Sequence, residues 1–317
     1  MSLAASLDRL RLLPLEVRAR AVDPLRLPAF AGSTLRGAFG HALKDAACVV
    51  DHRDCAACHL ADACVHPALF EPRPPEGARR LDGRGRAPAP YVIRPGPERE
   101  VPAGEAFRFG VTLIGRAVEQ APVVAAALLR VAARGLTAER HRFRIERIDG
   151  PDGGAIVSGD PPAFARRPPV APSSFLGPPA ASDRLRVAFP SGVRILTRGA
   201  LARELPFPVV ARALLRRAST LLELHEGFDL RLDHRAWIDR AEGVRIERSD
   251  LRRADSLRWS ARQERAMNLR GVRGSVDYAG DLAPFLPLLA FGVAVGVGKG
   301  TTFGLGRMDV LETPGDA

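Results

Sequence analysis

Lysine is almost missing from this chain. Of 47 basic residues in 317, only Lys44 and Lys299 are lysines and all the others are arginines. Wherever a guanidinium will serve, one is present. The two ammonium groups therefore mark places where a compact point charge beside a phosphate or a reacting centre is wanted. Tyrosine is equally scarce, with Tyr91 and Tyr278 the only two, so a tyrosine-assisted step would have to use one of them. Cysteine occurs four times, and all four lie within seventeen residues: Cys48, Cys55, Cys58 and Cys64. That confinement argues against a disulfide framework. Long apolar runs are missing too. The stretch Leu282 to Val297 is interrupted by Pro284, Pro287, Gly292 and Gly296, which is too short and too broken for a membrane span. The first seventeen residues include Asp8, Arg9, Arg11 and Glu16, so they lack a signal peptide's apolar core. The cytoplasm is the expected location.

The length of 317 residues suits two domains, and the 46% hydrophobic content is that of a globular protein. The formal net charge is +11, which favours a polyanionic partner without naming one. Strand-like alternation over Leu10 to Val22 is followed by a helix capped by Ser33 or Thr34 and running to Ala47, with Leu35, Ala38, Phe39, Ala42 and Leu43 as its apolar stripe. A Cys-rich, then Pro-, Gly- and Arg-rich insert spans 48–105, with a short strand near Tyr91 to Arg94. Then come a strand (Ala106 to Gly115), a helix (Glu119 to Arg134) and a strand (Arg142 to Asp149). This is the β-α-β-β-α-β order of a ferredoxin-like domain.

Pro/Gly density over 151–182 reads as a linker or a surface-tied loop. The pattern then repeats over 183–317. Strand material runs from Leu185 to Thr197 with a turn at Pro190-Ser191-Gly192. A helix spans Pro206 to His225. Two strands within 243–279 are joined by the arginine-rich Arg252 to Arg265. A helix covers Leu282 to Val295 and a last strand Phe303 to Leu311. The expected class is α+β, with two tandem ferredoxin-like domains (1–150 and 183–317) and the Cys-rich insert in the first. No short internal sequence repeat is evident.

The most distinctive stretch is Gly296-Val297-Gly298-Lys299-Gly300-Thr301-Thr302-Phe303-Gly304-Leu305-Gly306. Glycines reach positive φ and admit a close backbone. An array of exposed N–H groups beside Lys299, Thr301 and Thr302 suits a run of phosphates. A Walker A loop is excluded because Gly298-Lys299 is followed by Gly300, and a dinucleotide fingerprint because no βαβ unit follows. The plain alternative is a tight turn before a terminal strand.

This glycine loop, with Arg273-Gly274-Ser275-Val276-Asp277-Tyr278-Ala279-Gly280-Asp281 and Leu282 to Leu289 before it, resembles the C-terminal part of the CRISPR repeat-cleaving endoribonucleases of the RAMP superfamily, the sixth Cas family. Leu35-Arg36-Gly37 is similar to the opening of that family's first helix. The resemblance implies tandem ferredoxin-like domains and metal-independent cleavage of precursor RNA within its repeats, leaving 2′,3′-cyclic phosphate and 5′-hydroxyl ends. It places the general acid/base histidine on or just after the first helix. His41 matches, one turn past the expected helix start, with Lys44 as charge stabiliser.

Histidine titrates near neutral pH, and a fixed cation answers the charge that builds on phosphorus. Arg36, Arg270, Arg273, Gly296, Gly298, Lys299, Gly300, Thr301, Thr302, Gly304 and Gly306 are the expected RNA contacts. Arg252, Arg253, Arg258, Arg262 and Arg265, with Trp259, supply further basic surface for a hairpin stem. Partners are repeat RNA and its guide-RNA product, with other Cas proteins and a second copy of the chain as further candidates. The alternative is a RAMP subunit that binds guide RNA in an effector complex without cutting.

Cys48, Cys55, Cys58 and Cys64, spaced C-x(6)-C-x(2)-C-x(5)-C, predict a structural metal site. Zinc is the leading reading and a [4Fe–4S] cluster the alternative. His52, His59 or His66 could replace a cysteine.

Overall fold

The computed structural model describes residues 1–50, 54–74, 77–78, 87–177, 183–260 and 265–312. The chain divides into two compact units, one formed by Arg11–Val170 and the other by Met1–Leu10 with Ala171 onward.

The first unit starts with β1 (Leu12–Ala21). Its odd-numbered side chains from Leu13 to Ala21 are buried, while Glu16 and Arg18 are exposed. That period of two commits one face of the sheet to a core. A two-residue strand β2 (Leu25–Arg26) leads to helix α2 (Ala31–Ala47), after which come α3 (Val65–Phe70), β3 (Tyr91–Arg94), β4 (Glu100–Val101), β5 (Ala106–Ile114), α4 (Ala121–Arg134) and β6 (Phe143–Asp149). Here α1 is the short helix Leu3–Leu7, capped by Ser2, and belongs to the other unit. The sheet order is β3-β5-β1-β6, extended by β7 (Ala155–Ser158) and β8 (Ala163–Phe164). All of its pairings are antiparallel. Counted as the four strands of a β-α-β-β-α-β unit, this is the order 2-3-1-4. Leu35, Phe39 and Leu43 of α2 and Val124, Leu128 and Val131 of α4 share one core with the inward residues of β1.

The second unit repeats the plan with β9 (Arg184–Val193), α5 (Phe207–Glu226), α6 (His234–Ala241), β12 (Arg245–Ser260), β13 (Arg265–Ala279), α7 (Leu286–Val295) and β14 (Asp309–Glu312). Its sheet order is β12-β13-β9-β14, again 2-3-1-4. A small hairpin of β10 (Leu196–Thr197) and β11 (Ala200–Leu201) stands apart from that sheet. Leu185, Val187 and Phe189 of β9 meet a core that includes Phe207, Leu214, Leu215, Phe285 and Phe291.

Several boundaries differ from the sequence expectation. The 151–182 segment is not an unstructured connection: Gly153 at φ 72° turns the chain so that Ala155–Ser158 pairs with β6. Residues 178–182 lie outside the described residues. Within the expected 48–105 insert, β3 is a strand of the main sheet. Helix α2 starts at Ala31 with Phe30 as N-cap and no side-chain cap. Ser33 and Thr34 therefore sit inside its first turn. β9 continues through Pro190-Ser191-Gly192 as a bulge, not a turn: Gly192 has φ 80° and the register against β13 slips there. The last strand starts at Asp309, because a 3₁₀ turn at Thr301–Phe303 takes up the residues before it. Arg252 to Arg265 is not a connection but the outer part of a long hairpin, whose tip at 261–264, with Arg262, lies outside the described residues.

Candidate active site

Helix α2 presents its apolar stripe to the core through Ala31, Leu35, Phe39, Ala42 and Leu43. His41 follows Phe39 and Gly40 by the helical rotation that carries it to the exposed side. It stands about three turns into the helix, counted from Ala31. Lys44 is half-buried one turn further on and lines a hollow with the four cysteines and His66. His66 is pushed down from its ordinary value, first by burial and then by Lys44, with His41 and Arg36 acting in the same direction. Glu71 opposes that shift, ahead of His41 and Arg36 in size.

Arg36 is engaged within the unit. Its guanidinium lies 5.1 Å from the centre of the Phe70 ring, and it opposes the rise of the Tyr91 hydroxyl, which burial pushes up to about 12. Phe39, Phe70 and Tyr91 pack ring on ring, with centroids 5.2 to 5.8 Å apart. At Gly40 a Cβ would come 2.7 Å from the Phe70 ring, so glycine there lets α3 sit against α2 beside His41. Neither tyrosine is placed for proton transfer. Both are fully buried, and Tyr278 donates to the Leu205 carbonyl.

The glycine loop lies in the other unit. Gly296, Gly298, Gly300, Gly304 and Gly306 all have φ between 72° and 84°. At Gly306 a Cβ would sit 1.9 Å from the Val297 carbonyl oxygen, and at Gly298 2.5 Å from that of Arg194. Both positions exclude any side chain. The loop is folded mainly on itself and its neighbours. The amide of Val297 donates to Gly306 O (2.9 Å), Lys299 to Arg194 O (2.9 Å), Leu305 to Gly300 O (3.2 Å) and Gly306 to Gly192 O (2.7 Å). These amides are not available to a phosphate, which corrects the expectation of an open N–H array. The amides of Gly298 and Gly300 donate to no backbone carbonyl among the described residues. Lys299 is exposed at the tip, Thr302 is half-buried, and Thr301 is buried.

Arg217, which sequence reasoning did not single out, donates to the Val295 carbonyl at 2.9 Å, at the end of α7 where the loop starts. Burial pushes its guanidinium down to about 10. Its one signal was position: it falls three residues after Leu214 and four before Leu221, on the apolar stripe of α5.

Pairing of β13 with β9 ends at Val272–Val193, yet β12 and β13 stay paired to Ser260–Arg265. A two-stranded ribbon therefore runs beyond the sheet. At its base Arg252 stands opposite Arg273, and Arg253 opposite Val272. Arg252, Arg253, Arg270 and Arg273 are exposed. Arg252 also lies 3.5 Å from Asp250, a surface pair of little energetic weight.

Burial pushes the Cys55 thiol up. Cys48, Cys55, Cys58 and Cys64 all line the same hollow. Among the described residues no three His, Cys, Asp or Glu side chains converge as a metal-ligand group. No described helix is long and apolar enough to cross a membrane.

Residues 187–308 match the family model of the CRISPR-associated endoribonuclease Cas6. Residues 10–166 match a second model, the AF_1859 N-terminal domain. The C-terminal part of the chain is therefore similar to the Cas6 endoribonucleases. Cas6 structures share its fold. A Cas6 product complex aligns over 95% of this chain and 99% of that one, at 15% identity and a TM-score of 0.57. A Cas6 substrate-mimic complex covers 96% and 100%, at 19% identity and 0.52. A partial Cas6–RT–Cas1 complex with Cas2 covers 97% of this chain and 47% of that one, at 15% identity and 0.60. No curated protein matches the sequence.

Proposed function

We propose that this protein cleaves CRISPR precursor RNA within its repeats, without a catalytic metal, and that His41 on α2 moves the proton. The observation that carries the activity is the match of residues 187–308 to the Cas6 endoribonuclease model. The choice of residue is supported by an exposed imidazole on a helix whose other face is locked in the core, with Lys44 on its next turn. A ribose 2′-oxygen attacks the adjacent phosphorus and the bond from phosphorus to the 5′-oxygen breaks. One proton leaves the 2′-hydroxyl and one reaches the departing 5′-oxygen, giving a 2′,3′-cyclic phosphate and a 5′-hydroxyl. His41 serves one of these transfers, and Lys44 answers the added negative charge. Lys299, the free amides of Gly298 and Gly300, and the arginines at the base of the ribbon bind the ribose-phosphate strand. Neighbours solved with RNA product and in a complex with Cas1 and Cas2 support RNA and other Cas proteins as partners. The test is single-turnover cleavage of labelled repeat RNA by the wild type and by His41→Ala. Undiminished cleavage by the variant removes His41 from the mechanism.

A further inference from the structure

The cysteine hairpin is a separate construction on the same unit, and RNA cleavage makes no use of its thiols. Cys48 caps the C-terminus of α2 and Cys64 stands at the N-cap of α3. Between Asp54 and Cys64 only Ala61 is buried, too little apolar area to order a loop of that length against its backbone entropy. Another source of order is required. The four thiols surround a hollow of about 20 Å³ together with His66. That is room for one ion or one water. Across the hollow Cys55 Sγ lies 3.6 Å from His66 Nδ1. Two ligands of a single tetrahedral zinc, with Zn–S about 2.3 Å and Zn–N about 2.0–2.1 Å, stand about 3.6 Å apart. The His66 ring is held parallel to Phe70, 2° from coplanar with centroids 5.3 Å apart, which fixes where Nδ1 points. The Cys48 thiol instead donates to the Val50 carbonyl at 3.4 Å.

We propose that Cys55, Cys58, Cys64 and His66 hold one structural zinc ion in a C-x(2)-C-x(5)-C-x-H arrangement, and that Cys48 is not a ligand. Rotation of the Cys58 and Cys64 side chains closes the set. The ion ties the hairpin to α3, and α3 packs through Phe70 against Phe39 and the bare backbone of Gly40. It therefore braces the helix that carries His41 without touching the scissile phosphate. The donor set adds one neutral imidazole to three thiolates, a closed shell with no open position for catalysis.

The test is elemental analysis of the full chain purified without added metal, followed by exchange of the ion for Co²⁺. One zinc per chain is expected, with Co²⁺ ligand-field and sulfur charge-transfer bands of an S₃N tetrahedron. Cys55→Ser and Cys58→Ser lose the metal. His66→Ala loses it or binds it far more weakly. Cys48→Ser keeps it. If the ligand variants fail to fold, the Co²⁺ spectrum of the unmutated chain decides alone. An S₄ spectrum, with loss of zinc from Cys48→Ser and retention by His66→Ala, overturns the histidine ligand. Absence of stoichiometric metal, or iron with acid-labile sulfide, overturns the site. None of these readouts depends on cleavage, so the zinc site and the nuclease reading can fail separately.

Discussion

The two units use the same β-α-β-β-α-β plan and differ at the same place, the link between the second helix and the last strand. In the Arg11–Val170 unit, α4 ends at Gly135, with φ 88° and ψ 164°, and the chain reaches β6 in eight residues, 135–142. In the other unit, α7 ends at Gly296, with φ 73° and ψ 172°, and thirteen residues, 296–308, precede β14. The helix exits are alike. Beyond them the short link places Thr137 and Arg140 at positive φ, whereas the long one uses glycine at every such position and carries Lys299 at its tip. The chemistry is distributed the other way. α2 carries an exposed histidine and a lysine, while its counterpart α5 buries Leu214, Leu215, Leu221 and Leu222, and its one histidine, His225, is buried too. One copy of the fold exposes a histidine on a helix and the other a lysine in a glycine loop.

The largest effect that would break this division is at the helix. His41→Ala is expected to slow cleavage by about 10²- to 10⁴-fold and to leave RNA affinity close to wild type, read by single-turnover kinetics beside filter binding. Next come the paired glycines. Gly306→Ala forces a Cβ to 1.9 Å from Val297 O, and Gly135→Ala one to 2.2 Å from Arg140 O. Each should cost roughly 1–3 kcal/mol of stability, read by denaturant melts. Only Gly306→Ala should also weaken RNA binding. Equal losses of affinity in both variants would erase the functional difference between the two links.

A third effect is acid sensitivity at an ion pair of the loop-bearing unit. Asp277 accepts two bonds from Arg186, at 2.6 and 2.7 Å, and is held below the ordinary carboxylate range by that guanidinium. Its folded pKa is depressed, so its stabilisation is complete above the unfolded value of about 3.9. It is lost as pH falls through the lower folded value. Asp277→Asn should lower stability by roughly 1–3 kcal/mol at neutral pH, and the acid limb of the variant's stability curve should be flatter. The smallest effect is at the ribbon. Arg252→Gln and Arg273→Gln should each weaken binding of any repeat sequence and reduce the salt slope by about one.

The fold was legible because both units alternate cleanly. Leu15-Glu16-Val17-Arg18-Ala19 announces a half-buried strand, and Leu35, Phe39 and Leu43 announce a helix face. The ends of elements were less legible, because proline and glycine punctuate without saying what they end. Pro190-Ser191-Gly192 lies within a continuous strand, while Gly153 turns the chain into a new one. The loop was recognisable from its glycines, yet spacing alone could not reveal that most of its amides are satisfied by Arg194, Gly300, Gly306 and Gly192. Those acceptors are set by tertiary packing. His41 stood out by residue type on a helix. Arg217 did not, although it falls in register with the buried Val210, Leu214 and Leu221, because an arginine at such a position commonly carries its head group out to solvent.

The most direct test of the account uses repeat RNA labelled at its 5′ end, incubated with the full chain in buffer freed of divalent ions. Cleavage within the repeat, with a 2′,3′-cyclic phosphate on the labelled fragment, is the predicted result, and His41→Ala should bind the same RNA and leave it whole. Intact RNA with the wild type, or equal cleavage by the variant, would contradict it.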